Sequence, residues 1–197
     1  MPDVSLNVLY QSLLGRQPDE AGLAFWQGQI DDGLITEAEL IQQFMDSAEF
    51  IDLVAPVARL YSALLNRAPE PEGLAFWVQA LRDGATLESI TESFLEQPEY
   101  SQDQGQLTNQ AFIESLYENA LGREPDAAGE EFWLEYLEQG GSRAAVINDF
   151  AQSVEFSQTN EQAIEYAFVY QAVFGEPPTP AVIAQASGLG TLEQIIE

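Results

Sequence analysis

The chain has 197 residues, a formal net charge of −27 at pH 7, and neither histidine nor cysteine. The missing residue types exclude disulfide bonds, zinc and iron–sulfur sites, and catalysis by a cysteine or histidine nucleophile–base pair. The charge disfavours binding to nucleic acid or anionic lipid head groups, because both carry dense negative charge, and suits divalent cations, basic partners or simple solvation.

Hydrophobic residues recur at helical spacing through most of the chain, so we predict an all-α fold. Gly15 is of the residue type that commonly ends a helix. Asp19 and Thr36 are of types that commonly serve as N-caps, and we assign them to the starts of the second and third helices. Extended along the chain, this pattern predicts helices over 4–14, 20–31, 37–47, 56–66, 70–82, 87–97, 109–121, 127–138, 143–152 and 161–174.

One run of residues is repeated three times and organises the chain. It reads Gly-Arg-x-Pro-Asp-x-x-Gly-Leu-x-Phe-Trp, with substitutions, over residues 15–26, 66–77 and 122–133. The repetition of such rare residues at fixed spacing predicts tandem repeats of about fifty residues with three or four helices each. We therefore divide the chain into repeat 1 (1–55), repeat 2 (56–104), repeat 3 (105–160) and a partial or capping repeat 4 (161–197).

Two irregularities interrupt the repetition. A polar insertion over residues 102–106 explains the longer interval between repeats 2 and 3. Repeat 4 keeps the turn over 175–178 but has neither the arginine nor the two aromatics, and it stops at Glu197 inside a predicted helix. Repeat 4 is therefore either a degenerate cap or the start of a repeat cut from a longer protein, and we favour the second.

An arginine and a glutamate recur together in the repeats. In each repeat the arginine follows the first helix, and the glutamate precedes an aromatic residue in a tail that forms a short fourth helix or an ordered loop. We predict that each arginine clasps the glutamate of its own repeat, whereas the alternative is that it only favours the negative end of the first helix. The predicted pairs are Arg16 with Glu49, Arg67 with Glu99, and Arg123 with Glu155.

The three tryptophans of the chain, Trp26, Trp77 and Trp133, each follow a phenylalanine in the second helix. Their spacing with neighbouring apolar residues predicts that the tryptophans lie in the core. The adjacent phenylalanine points about 100° away around the helix, so we expect the pair to contact two neighbours, one within the repeat and one between repeats. The alternative is an aromatic surface for a sugar or a peptide.

The sequence gives no catalytic or metal-binding residue set. Paired carboxylates can perform acid–base catalysis, but most acids here fall on polar helix faces or at helix starts, where they are solvated or accept backbone hydrogen bonds. Asp31-Asp32-Gly33 lacks the further spaced oxygens of a calcium loop. We therefore predict no enzyme activity and no cofactor, with calcium binding possible but specified by no motif.

The repeated run, with its glycine turn, Thr or Ser cap and closing Glu-Phe, resembles a tandem bacterial helical repeat domain of unknown function. That family occurs in exported calcium-repeat (RTX-type), adhesin and surface-layer proteins and is similar to the phycobilisome linker domain. The resemblance implies a structural or protein-interaction module of a larger surface protein, placed outside the cell. The calcium nonapeptide of such proteins is absent, so calcium dependence is not implied.

We therefore expect protein partners or other domains of the same polypeptide, without nucleic acid or membrane insertion. The start of the chain, Met1–Ser5, has no basic region of a secretory signal, and no stretch is long and apolar enough to cross a membrane. A cation- or glycan-binding module that uses the acidic surface is the alternative function.

Overall fold

A computed structural model of the chain describes residues 5–98, 100, 107–179 and 181–183. Within these residues the protein consists of helices and has no β-strand, which confirms the predicted all-α fold. The principal helices are α1 (Leu6–Leu14), α2 (Glu20–Asp31), α3 (Glu37–Met45), α4 (Ala55–Leu65), α5 (Pro71–Arg82), α6 (Leu87–Glu96), α7 (Asn109–Leu121), α8 (Ala127–Glu138), α9 (Arg143–Ala151) and α10 (Val154–Phe174), with a π-helical turn (Phe50–Val54) before α4.

Except at the start of the last helix, the helices begin and end within two residues of the positions that the sequence predicts. The Asp19 carboxylate accepts a hydrogen bond from the Gly22 amide at 2.9 Å, and Thr36 forms a capping box with Glu39 at the start of α3. Gly15, after α1, has the left-handed φ of 61° that lets a glycine close a helix. Asn66 takes the same conformation after α4 with φ 47°.

The last helix differs from the prediction, which began it near residue 161. In the structure α10 starts at Val154 and continues unbroken, because no glycine or proline interrupts residues 154–174. The tail of repeat 1 is likewise helical from residue 48 and runs into α4, but residues 50–54 form the π-helical turn, and the second residue of α4 is Pro56. Proline has no amide hydrogen, and its ring crowds the preceding turn of a helix. The wider π-helical turn therefore accommodates Pro56.

A tyrosine–phenylalanine contact recurs in the core of repeats 1 to 3. The tyrosine of the first helix meets the phenylalanine of the third helix edge to face, with ring centroids 4.7 to 4.9 Å apart. The pairs are Tyr10 with Phe44, Tyr61 with Phe94, and Tyr117 with Phe150. The helical glycine of the repeated run makes room for this tyrosine, since a Cβ at Gly22 would collide with the Tyr10 hydroxyl. This glycine therefore permits the close approach of a side chain.

The chain divides into two compact units that do not follow the repeat boundaries. Unit 1 contains Met1–Ala58, Ala68–Asp83 and Gln162–Glu197, and unit 2 contains Arg59–Arg67 and Gly84–Glu161. In unit 1, α1 packs against α2, α3, α5 and the π-helical turn. The second helix of repeat 2 therefore packs on the first helix of repeat 1.

Unit 2 is built around two helix pairs, α6 with α9 and α7 with α8, and α7 also packs on α9. Its core contains Phe112, Ile113, Ile147 and Phe156, all of which are almost completely buried. The buried Thr91 of α6 donates a partly buried hydrogen bond to the half-buried Asn148 of α9, with an oxygen–oxygen distance of 2.7 Å. The predicted polar insertion over 102–106 and the end of repeat 4, from residue 184 onward, lie outside the described residues.

Candidate functional site

The structure brings Arg16 and Glu49 of repeat 1 together at the end of α1. Arg16 Nε and Nη2 donate to the two carboxylate oxygens of Glu49 at 2.6 and 2.9 Å, which is the bidentate geometry that makes such pairs strong. The guanidinium also lies over the Tyr10 ring, with its carbon 5.0 Å from the ring centroid. The arginine thereby joins the first helix to the tail of its own repeat.

Glu49 has a second arginine that the sequence did not reveal. Arg82 Nη2, at the last residue of α5, donates to Glu49 Oε1 at 2.7 Å and to the Leu14 carbonyl at 2.8 Å. The Glu49 side chain is 27% exposed, and the Arg82 side chain is 20% exposed. The carboxylate of repeat 1 therefore also binds a helix of repeat 2.

Repeat 3 contains the same clasp without a second arginine among the described residues. Arg123 Nε and Nη2 donate to Glu155 at 2.7 and 3.0 Å, and the Arg123 guanidinium carbon lies 4.9 Å from the centroid of the Tyr117 ring. The Arg123 side chain is 38% exposed and that of Glu155 50%. This clasp is thus more open to solvent than the one in repeat 1.

In repeat 2 the guanidinium carbon of Arg67 lies 5.2 Å from the centroid of the Tyr61 ring, as the other two arginines lie against their tyrosines. Glu99, its predicted partner, lies outside the described residues. The pairing of Arg67 with Glu99 therefore stays a prediction.

The two observed pairs shift the ionisation of their members. Hydrogen bonding from Arg16, with further attraction from Arg16 and Arg82, lowers the pKa of Glu49 despite the opposing effect of burial. Hydrogen bonding from Arg123 lowers the pKa of Glu155 in the same way. Both carboxylates are held in the charged form, so neither is suited to act as a general acid at neutral pH.

The three arginines outside the repeated run also hold the fold. Besides Arg82, Arg59 donates to both carboxylate oxygens of Glu161 at 3.0 Å, and Arg143 donates to the Leu107 carbonyl at 2.6 Å. All six cations of the chain thus have structural contacts. Their scarcity in a chain of net charge −27 was the signal that could have identified them.

The aromatic pairs of the second helices lie differently from the prediction. Trp26, Trp77 and Trp133 are half-buried rather than in the core, and Trp26 and Trp133 touch the phenylalanine of the third helix in their own repeats. The preceding phenylalanines do not pack on two neighbours but are largely exposed, because the rotation away from the tryptophan turns them toward solvent. Their exposed fractions are 56% for Phe25, 65% for Phe76 and 60% for Phe132.

Each exposed phenylalanine lies edge to face against the tryptophan that follows it, with ring centroids 4.7 to 4.8 Å apart. We call these three Phe–Trp pairs the aromatic steps. Exposed aromatic side chains are scarce on ordinary surfaces and enriched where proteins bind one another. Since the same ring is exposed in three repeats, the aromatic steps are the best candidate binding residues of the chain.

Two open grooves lie between first and second helices. The groove between α1 and α2, of about 590 Å³, is lined by uncharged residues that include Leu23 and Gln27. The groove between α7 and α8, of about 580 Å³, is lined by Glu114, Glu118 and Glu130 among others. In the part of the chain that the structure describes, no group of three or more acidic side chains is placed to hold a metal ion.

Among the described residues, no helix combines the length and the apolar character needed to cross a membrane.

A family described as "Domain of unknown function (DUF4214)" matches the chain over residues 5–54, 56–103 and 91–160. The chain belongs to this family. The DUF4214 matches follow the three repeats of the arginine, glutamate and Phe–Trp residues. Neither the curated proteins nor the solved structures contain a match to the chain.

Proposed function

We propose that this DUF4214 chain is a non-catalytic module of a larger exported bacterial surface protein, in which it binds protein partners or neighbouring domains. The observation that carries the proposal is the exposure of one phenylalanine at the same position of three repeats. The other recurring side chains are used within the fold, as caps, arginine–glutamate clasps and tyrosine–phenylalanine contacts. The phenylalanines of the aromatic steps are the recurring side chains that remain exposed and can bind another molecule.

The location outside the cell, in the company of calcium-repeat, adhesin or surface-layer domains, rests on the family resemblance described above. The proposed kinship with phycobilisome linkers supports the same role, since a linker joins other proteins. The acidic surface agrees with a partner that carries basic residues around an apolar pocket, because opposite charges favour encounter.

Site-specific photo-crosslinking tests this function. A benzophenone amino acid is placed at Phe25, Phe76 or Phe132 of the full-length protein in the bacterium that makes it, and the crosslinked species are identified by mass spectrometry. The matched control is Leu34, which is 66% exposed but outside the repeated positions. Protease treatment of intact cells measures whether the module is at the cell surface.

We expect crosslinks to one protein, or to one other domain, from the three phenylalanine positions and not from Leu34. Equal crosslinking from all four positions would contradict the proposed role of the aromatic steps. Protection of the module from protease in intact cells, with loss of protection after lysis, would contradict its location outside the cell.

A cation- or glycan-binding module remains the second candidate, and the observation that favours it is the exposed rings, which suit a glycan. Sugars stack on exposed aromatic rings, and hard cations prefer carboxylate oxygens. Calorimetric titration with calcium and binding to a glycan panel test this candidate. Saturable binding that is lost in a Phe25→Ser, Phe76→Ser, Phe132→Ser triple variant would favour glycan over protein.

A further inference from the structure

The end of α1 forms a contact surface for another helix, and we call this surface the seat. A Cβ built on Gly15 would lie 3.2 Å from the Cα of Ala75 and 3.4 Å from the Cβ of Val78, so α5 approaches α1 as closely as glycine permits. Leu74 and Val78 of α5 are completely buried, and Arg82 closes the contact by donating to the Leu14 carbonyl and to Glu49. The seat thus consists of a glycine, a helix-end carbonyl and the clasped glutamate.

The end of α7 in repeat 3 has the same parts. Gly122 takes the same left-handed conformation with φ 65°, Leu121 has the carbonyl at the position of Leu14, and Glu155 is clasped by Arg123. Its surroundings differ, because a Cβ on Gly122 would meet nothing within 4 Å among the described residues. Asn119 is exposed, whereas the equivalent Ser12 of α1 is buried.

We propose that the end of α7 is a docking site for the second helix of a similar repeat in another protein. This inference rests on the proposed function and names the kind of partner. The helix seated on α1 defines the chemistry required: a small residue at the position of Ala75, a branched apolar residue at that of Val78, and an arginine at that of Arg82. The pattern is Ala-x-x-Val-x-x-x-Arg on one helix face.

Charge argues against a second copy of this chain as the occupant. The residues equivalent to Arg82 are Asp31 in α2 and Glu138 in α8. Either carboxylate would approach Glu155 at the docking site, and like charges there are repulsive. The helix with the required pattern, α5, is already seated on α1 in its own chain.

A synthetic helix tests the docking site. The probe is a fluorescent peptide of residues 68–85, stapled through positions 72 and 76, because Glu72 and Phe76 are exposed and face away from the seat. Its anisotropy is followed as the full chain is added. We expect saturable binding, weakened at least about tenfold when the peptide carries Arg82→Glu, since a charge-assisted hydrogen bond becomes a repulsion.

Two variants of the chain locate the binding. Gly122→Asn keeps the left-handed turn, as Asn66 does in repeat 2, but places a side chain where the incoming helix must lie. Gly33→Asn is the matched control, because Gly33 has φ 65° and open space around it. We expect Gly122→Asn to weaken binding at least about tenfold and Gly33→Asn to leave it unchanged. Circular dichroism verifies that both variants fold.

Three results would overturn the docking site: no saturable binding, equal binding to the Gly122→Asn variant, or indifference to Arg82→Glu. Sedimentation of the chain alone tests whether a second copy of the chain occupies the docking site. Self-association that is abolished by Gly122→Asn would identify a second copy as the occupant instead. None of these results would change the crosslinking expected from the aromatic steps, so the proposed function could still hold without the docking site. If instead the crosslinking failed while the peptide bound, the docking site would hold and the proposed function would be wrong.

Discussion

The ends of α1 and α7 have nearly the same sequence and different surroundings. In unit 1 the Glu49 carboxylate binds Arg16 and Arg82, and α5 covers the end of the helix. In unit 2 the equivalent carboxylate, Glu155, binds Arg123 and remains half exposed. The repeated run therefore specifies the clasp within a repeat but not whether another helix covers it.

The residue that makes the difference lies outside the repeated run. The last turn of the second helix carries Asp31 in repeat 1, Arg82 in repeat 2 and Glu138 in repeat 3. The arginine can bind both the Leu14 carbonyl and Glu49, whereas an acid at this position would repel the glutamate. Such a difference lets repeats with the same fold take distinct neighbours.

Removing the apolar contact beneath the seat should have the largest effect. Leu74→Ala leaves a cavity under a completely buried side chain, and we expect unfolding of unit 1 to become easier by about 2–5 kcal/mol. Leu23→Ala, at the equivalent and half-buried position of α2, should cost about 1 kcal/mol. Urea unfolding of the two variants measures both values, and equal losses would show that α5 is no better seated than α2.

Removing the shared carboxylate should have a smaller and unequal effect in the two repeats. Glu49→Gln deprives two arginines of their charged partner, so we expect a loss of about 2 kcal/mol. Glu155→Gln affects one exposed pair and should cost about 1 kcal/mol or less. Hydrogen exchange of the amides in α1 and α7 resolves the two effects.

The opposite order of the two losses would contradict this prediction. A larger loss for Glu155→Gln than for Glu49→Gln would mean that Arg82 adds nothing to the clasp. Arg82→Met isolates its contribution, because it leaves the Arg16–Glu49 pair in place.

The glycines at the two helix ends offer a third comparison. Gly15→Asn should cost about 1–3 kcal/mol, because the new side chain collides with the backbone of Ala75. Gly122→Asn has no such neighbour among the described residues, so we expect a change well below that. Thermal unfolding of the two variants makes the comparison, and similar midpoints would contradict the close seating of α5.

Local features of the fold could be predicted from the sequence because they depend on neighbouring residues. Asp19 and Thr36 begin helices, and Gly15 ends one, through hydrogen bonds and backbone conformations within a few residues. The family match and the helical structure confirm the tandem all-α architecture that those features predicted. Arg16 and Glu49 lie 33 positions apart, but their recurrence in each repeat revealed a relation between them.

Features set by packing between repeats could not be predicted in this way. Arg82 does not recur, so no pattern connected it with Glu49. The position of Phe25 beside Trp26 fixed the rotation of about 100° between the two side chains around the helix but not which neighbour, if any, would cover the phenylalanine. The early start of α10 at Val154, by contrast, has a local signal that the prediction overlooked, because the Ser153 hydroxyl accepts a hydrogen bond from the Phe156 amide at 3.0 Å.

Acid should reduce the stability that the Glu49 clasp provides, and this is the smallest effect that we predict. Arg16 and Arg82 lower the pKa of Glu49 in the folded chain below the ordinary 4.5 expected when unfolded. The folded state thus favours the ionised form, so its contribution is complete above pH 4.5 and is lost as the pH falls through the lowered folded pKa.

The Glu49→Gln variant isolates this contribution, because glutamine does not titrate. We expect the difference in unfolding free energy between the parent chain and the variant to be constant near neutral pH and to shrink below pH 4.5. The same comparison with Glu155→Gln should show a smaller change, since solvent screens the more exposed pair. Urea unfolding at a series of pH values provides the measurement. A difference that grew on acidification would mean that the folded chain binds the proton at Glu49 more tightly than the unfolded chain, which the two arginines oppose.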